Sequence, residues 1–234
     1  GDQRFLRAYL PGAKAVRAIF RASGANAAYL EAQETEGLFA GPLAGEGAYF
    51  LRVEWPDEIV IGEDPYAFSP LLGELDLHLI AEGMHTQLAS ALGAHWTLVE
   101  GVAGVRFCVW APNARRVAVV GDFNGWDERR HGMRLRHEAG VWEIFVPRLE
   151  PGERYKFAVL GADGVRRLKA DPMARRAEEP PLTASIVAPP MDHAWRDDAW
   201  MATRAQRQQS SAPISIYEVH AGSWLKPEIG RAHV

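Results

Sequence analysis

The side chains able to do chemistry fall into three groups. Acids gather at Glu34 and Glu36, at Asp57 and Glu58, and at Asp197 and Asp198. Two carboxylates facing each other could divide acid and base work between them, but these clusters sit in turn-forming or linker composition, where solvated surface charge accounts for them. None is assigned a catalytic role. Histidines occur at His78 and His85 and at His131 and His137 without metal-ligand spacing or a Cys/His cluster, so neither a metal nor a cofactor is expected. The third group is GDFNGWD, Gly121 to Asp127. Asn124-Gly125 suits a turn with positive φ, which would project Trp126 from the end of a hairpin instead of burying it between sheets. Lys156 alternates away from Tyr155 and Phe157, so it is expected on the same exposed face as Trp126.

These groups must be positioned by a mainly β chain. Short apolar runs at Phe5 to Leu10, Ala15 to Phe20, Ala28 to Leu30, Tyr49 to Val53 and Ile59 to Ile61 are separated by Gly- and Pro-containing turns, which favours a β-sandwich. From Glu74 to Leu92 the apolar spacing becomes helical, giving two short helices broken near Gly83 and stopped at Gly93. The β pattern returns from Thr97 to Val187, with Val105, Phe107 and Val109 facing one way and Arg106, Cys108 and Trp110 the other. A second antiparallel sandwich follows. The halves echo each other in VRAIFRASGANA and VRFCVWAPNARR, and in Asp64-Pro65 and Asp171-Pro172. Residues 191–213 read as a linker packed at Trp195 and Trp200 and loose from Gln206 to Ser211.

The segment ISIYEVHAGSW, Ile214 to Trp224, is a short β-branched and aromatic run that ends in a polar loop. A (β/α)₈ barrel starts this way and carries its chemistry on loops at strand C-terminal ends. His220 and Ser223 are therefore weak candidates for an active-site face, the plainer reading being that they cap loop hydrogen bonds.

The chain has 234 residues, a net charge of −4 and 47% hydrophobic residues, enough for one large or two ordinary domains with a sizeable core. Scattered arginine pairs interspersed with acids argue against a nucleic-acid partner. No signal-peptide pattern or apolar 18-mer is read, so no membrane partner is expected. The single cysteine, Cys108, cannot form an internal disulfide and reads as a small buried hydrophobe, which fits a reducing cytoplasm.

YEVH-x-GSW resembles the first barrel strand of the 1,4-α-glucan (glycogen) branching enzymes. The resemblance extends back through KADP, YKFAVLGADG, GVAGVRFCVWAPNARRVAVVGDFNGWD, LGAH and DPYAFSPLLGELDLHLIAEG. It implies two consecutive immunoglobulin-like β-sandwiches with short bridging helices, then the first strand of a truncated (β/α)₈ barrel: an N-terminal module over 1–95, a family-48 carbohydrate-binding module over 96–190, the linker over 191–213, and the strand and loop over 214–227. It also implies that the parent enzyme cleaves an α-1,4-glucan and transfers the chain to form an α-1,6 branch, with its catalytic residues in a barrel beyond this chain. By the same resemblance Trp126 stacks on α-1,4-glucan and Lys156 donates to sugar hydroxyls. After Asp163-Gly164 the best glucan binders of this fold carry a second aromatic, where this chain has Val165-Arg166-Arg167-Leu168, so weak binding is expected. The rival readings are a stand-alone glucan-binding or scaffold protein, or part of a debranching or trehalose-releasing hydrolase. Residues 228–234, EIGRAHV, continue no family pattern and back-translate into the start of a sequencing-library adapter. With no Met at position 1 either, the reading frame is expected to be clipped at both ends.

Overall fold

The computed structural model describes residues 4–190 and 193–220. Residues 1–190 form one compact body and 191–234 another. No helix among the described residues is long and apolar enough to cross a membrane.

The first body begins with strands β1 (Phe5–Tyr9), β2 (Ala15–Phe20), β3 (Asn26–Ala32), β4 (Leu38–Pro42), β5 (Tyr49–Glu54) and β6 (Ile59–Glu63). They form one continuous antiparallel sheet in the order β1-β4-β3-β2-β5-β6. Alternation sends Val16 and Ala18, Ala28 and Leu30, Phe39, and Tyr49 and Val53 into one buried cluster. The sequence pattern missed β4, because LFAGP places Gly and Pro in a strand. Gly41 is required there, since a Cβ at that position would lie 2.0 Å from the Tyr29 carbonyl oxygen.

Nine strands follow: β7 (Gly93–Val99), β8 (Val102–Trp110), β9 (Ala114–Gly121), β10 (Arg134–Arg136), β11 (Val141–Pro147), β12 (Arg154–Gly161), β13 (Arg166–Lys169), β14 (Arg176–Ala177) and β15 (Ser185–Ile186). One sheet runs β10-β11-β8-β7. In the other, β9 pairs with β12 along one edge, while β13 and β15 share the opposite edge and β14 pairs with β15. Val105, Phe107 and Val109 meet Val117, Val119, Tyr155 and Phe157 in the core between the sheets. Cys108 faces outward from that core, as its alternation requires, yet is fully buried, and burial pushes its thiol up to about 12.

What buries Cys108 is the segment before β7. Helices α1 (Glu74–Ala81) and α2 (Leu88–Ala91) lay Leu77, Ala91 and Leu92 on Cys108 and Val141, and Phe68 meets Phe145 edge-on at 4.8 Å. Gly83 and Gly93, at φ +68° and +97°, end the helical stretches in the left-handed region. Beneath them the buried Glu143 accepts from the Leu71 and Leu72 amides, at 3.0 and 3.1 Å, and from Arg136 Nη1 at 2.8 Å. A buried charge this well partnered fixes the segment in place.

In the second body, helix α3 (Asp198–Arg207) runs through the stretch read as a linker. Its Ala, Met, Arg and Gln content favours a helix, and Asp198 in the first turn with Arg204 and Arg207 in the last complement the macrodipole. Trp195 and Trp200 are exposed instead of packed, and Trp195 meets the His193 ring edge-on at 4.8 Å. Ile214 to His220 lie in no helix or strand, so the expected barrel strand is not formed over its described part. A β-rich pattern becomes a strand only when it pairs with another edge, so the pattern by itself does not make one. Ser223, the rest of the 214–227 segment and the 228–234 tail lie outside the described residues.

Candidate functional site

The site is built where β9 ends. Gly121 closes the strand against β12, where a Cβ would lie 2.2 Å from the Arg154 carbonyl oxygen. A 3₁₀ turn over Asp122–Asn124 follows. Asn124 is buried and acts as its hub. Its Oδ1 accepts from the Gly121 amide at 3.0 Å, its Nδ2 donates to the Val119 carbonyl at 3.0 Å, and Nδ2 lies 2.9 Å from His131 Nδ1. With the Asn124 oxygen committed to Gly121, His131 Nδ1 must accept and stay unprotonated. Burial, reinforced by the positive charge of Arg130, lowers the His131 imidazole to about 4.

Both Gly125 and Trp126 then take left-handed backbone, at φ +63° and +60°. The expectation that Trp126 stands out from a hairpin end is corrected here, because two successive left-handed residues turn the chain back on itself. The half-buried indole lies on the outer face of the β9–β12 sheet, against Ala118, Val120 and Ala158. Its Nε1 donates to Asp122 Oδ1 at 3.0 Å.

Lys156 is paired with Val120 in register and points to the same outer face, while Tyr155 and Phe157 point into the core. Its ammonium donates to Thr183 Oγ1 at 2.7 Å. The structure therefore brings Trp126 and Lys156 onto one face.

Three residues missed in the sequence connect them. Arg154 Nε donates to Asp122 Oδ2 at 2.7 Å and its Nη1 to Glu178 Oε1 at 3.2 Å, while Glu178 also accepts the Ala184 amide at 2.9 Å. Arg154 holds the Asp122 carboxyl below its usual range. A chain of contacts thus leads from the indole through Asp122, Arg154 and Glu178 to the loop carrying Thr183. Arg154 shares the strand face of Lys156, a signal legible in period 2; Glu178 and Thr183 gave none. Leu168 pairs with Ala158 across β13 and is exposed on the same outer face.

An apolar floor, an anchored indole and an ammonium suit a ring with one apolar face and a rim of hydroxyls. They supply no nucleophile. No group of three potential metal ligands occurs among the described residues. A cavity of about 390 Å³ lies away from this face, between the helices and β8, lined by Ile80, Leu88, Cys108, Trp110 and Met173 with Asp171 at its wall. Its almost wholly apolar lining offers little to a sugar. His220 is exposed in the second body.

Residues 91–174, which carry Trp126, Lys156 and Leu168, match the family described as carbohydrate-binding module 48 (isoamylase N-terminal domain). Over 221 residues the chain is 58% identical to 1,4-alpha-glucan branching enzyme GlgB of Pseudomonas fluorescens (strain Pf0-1), which covers 94% of this chain and 30% of that protein. The chain is a relative of the 1,4-alpha-glucan branching enzymes. Branching enzyme GlgB 1 of Xanthomonas campestris pv. campestris (strain 8004) is 61% identical over 226 residues, covering 96% of this chain and 31% of its own length. The chain thus spans about three-tenths of the branching enzymes it matches. Among solved structures, PulA from Klebsiella oxytoca aligns over 81% of this chain and 20% of its own, at 19% identity and a TM-score of 0.37.

Proposed function

We propose that the chain is the N-terminal part of a glycogen branching enzyme and that its own task is to hold α-1,4-glucan. The whole enzyme would cleave an α-1,4 bond and pass the released chain to a glucose O6 hydroxyl, with its catalytic residues in the part of the relatives that this chain does not span. Within the chain we assign an N-terminal module to 1–95, the carbohydrate-binding module to 96–190, a connecting segment to 191–213 and the start of a catalytic barrel to 214–227. His220 and Ser223 would reach the active-site face only once that barrel is complete. A reducing cytoplasm suits a protein whose single cysteine is buried.

The observation that carries the glucan reading is the shared outer face of Trp126 and Lys156. The indole would stack on the apolar face of a glucose unit, and Lys156 and Thr183 would meet its hydroxyls. One aromatic platform contributes on the order of 1 kcal/mol, which sets millimolar affinity as the expectation. Identity of 58–61% to branching enzymes over 94–96% of the chain favours this reading over a stand-alone scaffold or a related hydrolase.

The test has two arms. In amylose gels the chain should be retarded and Trp126→Ala less so; equal migration would remove Trp126 from the site. Incubated with amylose, the purified chain should leave the iodine absorbance unchanged, and measurable branching would show that the catalytic groups are within it.

A further inference from the structure

We propose that the outer face of the N-terminal sheet is a second α-glucan-binding surface, a trough floored by Ala40 and walled by Phe5, Arg7 and Tyr9 on one side and Tyr29 and Glu31 on the other. The proposal rests on the glucan reading above and extends it to the other module.

Register puts these side chains together. On β1, Leu6 and Ala8 turn to the core, so Phe5, Arg7 and Tyr9 face outward. On β3, Ala28 and Leu30 turn inward, so Tyr29 and Glu31 face outward. Arg7 pairs with Ala40 and Ala40 with Glu31, while Phe5 pairs with Pro42 and Tyr9 with Leu38, so β4 lays Ala40 and Pro42 as a low floor between the two walls, bounded at one end by Leu38 beside Tyr9. Walls two strands apart stand about 10 Å from each other. Gly41 allows β4 to sit this close beneath Tyr29.

The chemistry is that of a sugar site. Phe5, Tyr9 and Tyr29 are 53%, 56% and 57% exposed, three large rings on one face where core packing explains none of them. Tyr29 is held in place, its hydroxyl accepting from Asn26 Nδ2 at 2.7 Å and its ring facing the Arg17 guanidinium at 5.5 Å. Arginine and glutamate between the rings supply the planar donors and acceptors that hydroxyl rims require.

Affinity electrophoresis in amylose gels tests this with the full chain. Trp126→Ala should keep a residual retardation, and adding Tyr9→Ala with Tyr29→Ala should abolish it. In the chain with Trp126 intact the tyrosine pair should weaken binding about fivefold. Ala40→Gln, which fills the trough and leaves every ring in place, should reproduce the loss if the tyrosine variants melt early. Unchanged retardation by both sets, with Trp126→Ala still effective, would overturn the second surface and leave the first intact. The reverse pattern would do the opposite. A change in sedimentation without a change in retardation would mark the face as a contact between copies and also overturn the proposal.

Discussion

The Tyr155 hydroxyl donates to Asp171 Oδ2 at 2.5 Å, tying the start of β12 to the Asp-Pro turn that follows β13. Tyr49 makes the same bond to Asp64 Oδ2 at 2.8 Å, from the start of β5 to the Asp-Pro turn after β6. In both, the other carboxylate oxygen accepts an amide two residues on, from Met173 at 2.8 Å and Tyr66 at 2.9 Å. The paired Asp-Pro steps seen in the sequence are thus one latch used twice, each closing a two-stranded hairpin.

Tyr155→Phe should cost about 1–3 kcal/mol in urea unfolding, because it leaves a buried carboxylate without its hydroxyl donor. Burial already raises the Asp171 carboxyl, with the Tyr155 bond opposing the rise, so the variant should raise it further. A cost no larger than that of an exposed Tyr9→Phe would show the latch to be inert.

Asp122→Ala should weaken glucan retention although Asp122 need not touch the sugar. It removes the acceptor for the indole nitrogen and one anchor of Arg154. The readouts are lower fluorescence anisotropy assigned to Trp126 by difference from Trp126→Phe, together with a fewfold loss in amylose gels. Loss of retention with unchanged indole mobility would argue against positioning through Asp122.

Acid should loosen the turn through His131. Its folded value, about 4, lies below the ordinary 6.5, so the unfolded chain binds more protons between these values and stability falls as pH drops through that window. Burial raises Asp64 and Asp171, which works in the opposite direction, so the comparison needed is native against His131→Gln. The native chain should lose more stability from pH 7 to pH 4.5, and an NMR titration of His131 should centre near 4. A midpoint near 6.5 would contradict the Asn124 hydrogen-bond assignment.

Lys156→Met should reduce glucan retention while leaving thermal stability within about 0.5 kcal/mol, the usual range for a surface change. A large stability loss would instead assign Lys156 and its Thr183 bond to holding the loop.

Period-2 alternation determined much by itself: Val105, Phe107 and Val109 inward, Cys108 outward, and Lys156 opposite to Tyr155 and Phe157. Local backbone chemistry determined the helix breaks at Gly83 and Gly93. Tertiary structure alone decided where Trp126 lies, because its left-handed backbone is held by Asn124, whose amide is satisfied by Val119 and His131 from either side of the turn. It also decided that Arg154 joins Asp122, 32 residues earlier, to Glu178, 24 later. Residue type shows which groups can bond, but not which distant ones folding brings within 3 Å. For the same reason β4 and the continuity of the first sheet were illegible: a Gly-Pro strand has little β propensity of its own and forms because edges of β1 and β3 stand ready on both sides. Ile214 to Val219 show the converse, a strong β pattern that lies in no strand, because propensity alone does not form a ladder.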